Sequence, residues 1–105
     1  MSLTASSNLN VYDLLHKADL IRTSNRSEFN RIINDISLLR ENLNAKQITK
    51  LDYLTGYQES ISGNLELAIS HLDRVIGQDK FLELKYRAII TKVNMFTFTD
   101  NYQEG

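Results

Sequence analysis

The sequence has no cysteine. That excludes a disulfide scaffold, a zinc-thiolate centre and a thiol nucleophile, and it fits a reducing or an oxidising compartment equally well. It also has no proline, and only four glycines in 105 residues. Proline breaks helices, so its absence lets long helices run on. Charge of either sign is not in excess. Twelve basic and thirteen acidic residues leave a net charge of -1, so no basic field points to nucleic acid and no acidic tail is present. No apolar run approaches the length of a membrane span. The opening "MSLTASSN" lacks a basic region followed by an apolar stretch, so it does not read as a signal peptide. Residues 1–9 read as a disordered or vector-derived start. What remains is enough chain for one small domain with one core.

The residues that are present repeat with helical spacing. Val11, Leu14, Leu15, Ala18 and Ile21 lie on one face of a first helix. "RTSN" interrupts it, and Asn25 with Glu28 three residues on predicts the next N-terminus. Phe29, Ile32, Ile33, Ile36, Leu39 and Leu43 then predict a second helix running to "ENLN". Asn44 and Gln47 make a capping box for a third helix, with Leu51 and Leu54 inside and Tyr53 and Tyr57 beside them. Gly63 supplies a residue able to take positive φ at its end. Asn64 is the predicted cap of a fourth helix that Gly77 closes, and Asp79 that of a fifth, with Phe81, Leu84, Ala88, Ile89 and Met95. Asp100 and Asn101 predict a turn, and Tyr102 the start of an incomplete sixth helix. The expected architecture is all-α: five helices of about 12 to 19 residues joined by short turns.

Two glycines stand seven apart, Gly56 and Gly63. Gly56 falls mid-helix, where glycine costs roughly 1 kcal/mol relative to alanine. Close approach of a neighbouring helix offsets such a cost, and Ala68 supplies a second small residue on the next helix. Gly56, Gly63, Ala68, Leu72 and Val75 occur in the order of a tetratricopeptide repeat, so Thr49 to Leu82 resembles one such unit. Glu59 stands where that family has an aromatic residue, and the terminal proline is missing, with Lys80 near its place. "SGNLELA" is echoed 37 residues later by "TDNYQEG", aligning Gly63 with Asp100 and Ala68 with Gly105. The resemblance implies antiparallel helical hairpins stacked in a short right-handed superhelix. It divides residues 10–105 into a degenerate pair (10–44), one unit (45–82) and an incomplete second unit (83–105). A repeat cut at its midpoint leaves the apolar face of the fifth helix partly uncovered, which predicts association through it or an artificial boundary.

A second resemblance covers most of the chain. Ala18, Asp19, Ile21, Arg22, Ser24 and Phe29, then Tyr53, Leu54, Tyr57, Gly63, Ala68 and Ile69, resemble the N-terminal repeat region of certain bacterial diguanylate cyclases. That resemblance implies a sensory or protein-interaction module regulating a GGDEF domain that makes cyclic di-GMP. It places the module on the extracytoplasmic side of an inner-membrane protein. The alternative is a constitutive cytoplasmic scaffold without signalling output.

No motif carries chemistry. His16 and His71 have no HExxH-type partner and read as solvated helix residues. No phosphate-binding glycine loop and no GxSxG occurs. Asn25-Arg26-Ser27 matches a glycosylation acceptor at chance level. The expectation is therefore no catalytic residue, no metal and no cofactor, with a protein, a peptide or a small ligand as partner, or a second copy of the chain. Repeat geometry turns Lys50, Tyr53, Tyr57 and Ser60, and 37 residues later Arg87, Ile90, Asn94 and Thr97, toward a concave groove. There Lys50 and Arg87 would hold a carboxylate, and the tyrosines would add contact area. The competing reading packs both tyrosines against the first helical pair and leaves the cations solvated.

Overall fold

The computed structural model describes residues 6–104, and side chains over 10–97. The chain is all-α, with no strand among the described residues. It comprises α1 (Ser6–Ile21), α2 (Arg26–Ser37), a 3₁₀ turn (Arg40–Asn42), α3 (Ala45–Ile61), α4 (Leu65–Ile76) and α5 (Leu82–Glu104).

Local chemistry sets most of the boundaries. The Asn25 side chain accepts a hydrogen bond from the Glu28 N–H at the start of α2. At α3 the capping box is complete. Asn44 Oδ1 accepts from the Gln47 N–H at 2.8 Å, and Gln47 Oε1 accepts from the Asn44 N–H at 3.0 Å. Gly63 takes φ +86°, the left-handed conformation that lets the chain reverse between α3 and α4.

Other boundaries depart from the sequence reading. Helix α2 stops at Ser37, and Leu39 to Leu43 form the 3₁₀ turn and an extended residue. Leu39 and Leu43 still reach the core from there, because a tighter turn can deliver an apolar side chain to the same surface. Asn64 makes no side-chain cap; its Nδ2 donates to Glu59 Oε1 instead. Gln78, not Asp79, satisfies the backbone before α5, accepting at 2.7 Å from the N–H groups of both Lys80 and Phe81. Asp79 is engaged by Lys85. The turn expected at Asp100 is absent, because α5 continues unbroken to Glu104 and no sixth helix begins. Neither glycine nor proline occurs between Phe81 and Glu104, so extending the helix costs less than starting a new turn. The equivalence of Asp100 with Gly63 fails accordingly, and Gly105 lies outside the described residues. Residues 6–9, expected in the disordered start, belong to α1; residues 1–5 lie outside the described residues.

Helix α3 is central and packs against each of the other four helices. Leu51, Asp52, Tyr53 and Leu54 are consecutive and all buried, so α3 shows no single apolar stripe. Its tightest contact is with α4. A Cβ built on Gly56 would lie 2.8 Å from both Cγ and Cδ2 of Leu72 and 3.4 Å from the Ala68 carbonyl oxygen. The missing side chain of Gly56 is thus the space that Leu72 fills. Ala68, Leu72 and Val75 are fully buried behind it. On the other side, Val11, Leu15 and Ala18 of α1 and Phe29, Ile32, Ile33 and Ile36 of α2 complete one continuous core with α3.

Candidate binding face

The C-terminal end of α1, the middle of α3 and the first half of α5 converge on one carboxylate. Asp19 on α1 accepts from Lys50 Nζ on α3 at 2.6 Å. It also takes a two-pronged contact from Arg87 on α5, Nη2 to Oδ1 at 2.6 Å and Nη1 to Oδ2 at 2.8 Å. Arg22, just past the end of α1, donates to Asp19 Oδ1 at 3.0 Å. The Arg87 guanidinium lies 4.5 Å from the centre of the Tyr53 ring. The Tyr53 hydroxyl shares a 3.4 Å hydrogen bond with Thr91.

Burial of Asp19 acts to raise its pKa. The hydrogen bonds from Arg87 and Lys50, and then their charges, outweigh it and hold the carboxyl well below the usual carboxylate range. The hydrogen bond to Asp19 in turn pushes the Arg87 guanidinium above its ordinary value, against the effect of its own burial.

The structure thus brings Lys50, Tyr53 and Arg87 together, and the carboxylate they hold is the chain's own. Tyr57 turns to the first helical pair. Its ring meets Phe29 edge to face at 6.0 Å and lies under the Arg22 guanidinium at 5.5 Å. Ser60 donates to the Tyr57 carbonyl of its own helix. Asn94 and Thr97 are exposed, and Ile90 points outward from α5. In the sequence Asp19 and Arg22 enter the resemblance to cyclase input regions but not the expected groove. Their role is set by packing across 31 and 68 residues.

Beside this cluster a cleft of about 290 Å³ opens between α1 and the starts of α3 and α5. Leu15 and Leu84 line it together with Tyr12, His16, Lys46, Lys50 and Glu83.

A second carboxylate, more deeply buried, is that of Asp52 on α3. The Asp52 side chain is 7% exposed. Arg40 reaches it with both terminal nitrogens, at 3.2 and 3.4 Å. His71 Nδ1 and Arg74 Nη1, both from α4, stand 3.5 and 3.7 Å away. His71 is therefore a packed neighbour of a carboxylate rather than a solvated residue. Among the described residues no group of three His, Cys, Asp or Glu side chains is placed to hold a metal ion. No described helix is long and apolar enough to cross a membrane.

Compared with protein-family models, curated proteins and solved structures, the chain matches none.

Proposed function

We propose that the chain is a non-catalytic interaction module that docks an acidic segment of a partner on its α1–α3–α5 face. The observation that carries this reading is a local surplus of charge. Arg22, Lys50 and Arg87 surround the single carboxylate of Asp19, leaving two positive charges in excess at a partly buried surface. Lys50 uses one of its three N–H donors on Asp19. A second carboxylate arriving there meets oriented donors beside the tyrosine ring that Arg87 covers. Lys46 adds a cation in the adjoining cleft, where Glu83 also stands, so the surplus is centred on the Asp19 cluster itself.

The regulatory half of the proposal rests on the resemblance of residues 18–69 to cyclase input regions. In that reading the module faces the extracytoplasmic side and passes its bound state to a diguanylate cyclase domain.

The test is a nuclear magnetic resonance titration with a glutamate-rich peptide at low ionic strength. Shifts centred on Arg22, Lys50, Tyr53 and Arg87, weakened about tenfold between 20 and 200 mM salt, are expected of an interaction carried by half-exposed charges. No shift at millimolar peptide refutes the docking face. Joined ahead of a diguanylate cyclase catalytic domain, the module should alter the rate of cyclic di-GMP synthesis when peptide binds. Binding without a change in rate removes the regulatory half alone.

A further inference from the structure

Helix α5 is apolar on two sides. Leu84, Ala88 and Met95 are buried against the body of the domain. On the opposite side Leu82, Tyr86, Ile89, Ile90 and Val93 are exposed by 36% to 59%, and Thr97 continues the row. No charged residue interrupts it. These positions have a further property. The steps between them are four, three, one, three and four residues, so the row reads the same in both directions about the Ile89–Ile90 bond. An isologous two-fold contact between antiparallel helices is reciprocal, and a row of this symmetry lets each of its positions meet another position of the row in the second copy.

We infer that this face of α5 pairs with the same face of a second copy of the chain, antiparallel, about a two-fold axis at Ile89 and Ile90. Leu82 of each copy then lies over Thr97 of the other, Tyr86 over Val93, and Ile89 over Ile90. Phe96, 47% exposed, flanks the row and covers its edge. The row spans about 22 Å of helix. It exposes on the order of 600 Å² per copy, the upper end of what a monomer leaves uncovered. Two copies together bury about 1,200 Å², the lower bound for a specific association. The flanking charges agree with self-pairing. Arg87 and Lys92 are mirror-related, and each is already neutralised within its own chain, by Asp19 and by Asp73 at 2.7 Å. Antiparallel alignment also opposes the helix dipoles. Arg87 and Thr91 point to a different side of α5, so the pairing stands independently of the acidic-segment reading.

Sedimentation of the full chain between 10 and 500 µM tests the pairing. The expected result is a reversible shift to twice the chain mass. Ile90→Glu should weaken it at least tenfold while circular dichroism shows the helices intact. Leu38→Glu, at a site 85% exposed outside the row, should leave it unchanged. The chain has no cysteine, so single cysteines report geometry directly. Under oxidation Ile90→Cys should cross-link between copies and Leu82→Cys should not, because antiparallel pairing separates the two Leu82 positions by about 22 Å. A monomer at 500 µM, a dimer that survives Ile90→Glu, or equal cross-linking at both sites overturns the inference.

Discussion

Replacing Gly56 by alanine tests how α3 and α4 are joined. On helix propensity alone the change favours folding by roughly 1 kcal/mol. The structure opposes that gain. The new Cβ falls 2.8 Å from Leu72 Cγ as well as Cδ2. Cγ is the branch point of a fully buried side chain, not a free end that can swing aside. Over-packing of this kind costs about 1–3 kcal/mol, and two contacts below 3 Å place it at the upper end. The expected net effect of Gly56→Ala is therefore a loss of about 2 kcal/mol, seen as a fall in Tm on the order of 10 °C. Leu72→Ala alone should cost about 2–5 kcal/mol through the cavity it leaves. In the double variant the alanine methyl occupies part of that cavity. The loss in the double variant should then fall short of the sum of the two single losses by at least about 1 kcal/mol. Thermal and urea unfolding followed by circular dichroism measures all four corners of the cycle. A Gly56→Ala protein more stable than the parent, with effects that simply add, refutes the argument from close approach.

Gly63→Ala meets no atom within 4 Å, yet its φ of +86° should make it cost about 1 kcal/mol by backbone strain alone, readable in the same melts. Asn44→Ala should lose about 1 kcal/mol of capping, whereas Asn64→Ala, which removes no cap, should change stability by less than about 0.5 kcal/mol. Asp19→Asn should destabilise by about 2 kcal/mol at pH 7, since it leaves Lys50 and Arg87 facing each other. The Asp19 pKa is lower folded than unfolded, so its contribution is present above about pH 5 and is lost as pH falls through 4 and below. Asp19→Asn should flatten that acid limb of the stability profile, and an unchanged limb would show the cluster to be inert. Asp52→Ala should cost about 2 kcal/mol, through the lost hydrogen bonds from Arg40 and the void left at a buried position.

What the sequence makes legible is whatever a few neighbouring residues decide. The Asn44–Gln47 box, the Asn25 cap and the positive φ of Gly63 are short-range events, and each can be read from a window of four or five residues. The closeness of Gly56 to Ala68 is longer in range but leaves a local trace, a glycine where a helix should not want one. The end of α2 left no such trace. Leu39 and Leu43 keep helical spacing although the backbone there has already tightened and then straightened. The choice of Gln78 over Asp79 depends on a side chain long enough to reach two N–H groups, which residue preferences at caps do not reveal. The charged cluster on α1, α3 and α5 was half legible. Lys50 and Arg87 were expected on one surface and do share one, although the 37-residue equivalence behind that expectation fails at Asp100, and the carboxylate they hold lies on a helix 31 and 68 residues away. Asp52 was not legible at all, because its partners come from the 3₁₀ turn and from α4, and only packing brings them together.

The bond between Asp19 and Arg87 has a consequence for how the molecule comes apart. In a linear stack each helix answers only to its neighbours, and the ends can peel away while the middle stands. Here the first helix and the last grip each other across the face of the third. Freeing α5 exposes Lys50 and Asp19 to water, and freeing α1 leaves two cations crowded together. Each end therefore guards the other, and unfolding should begin with the loss of both at once rather than with fraying from one side.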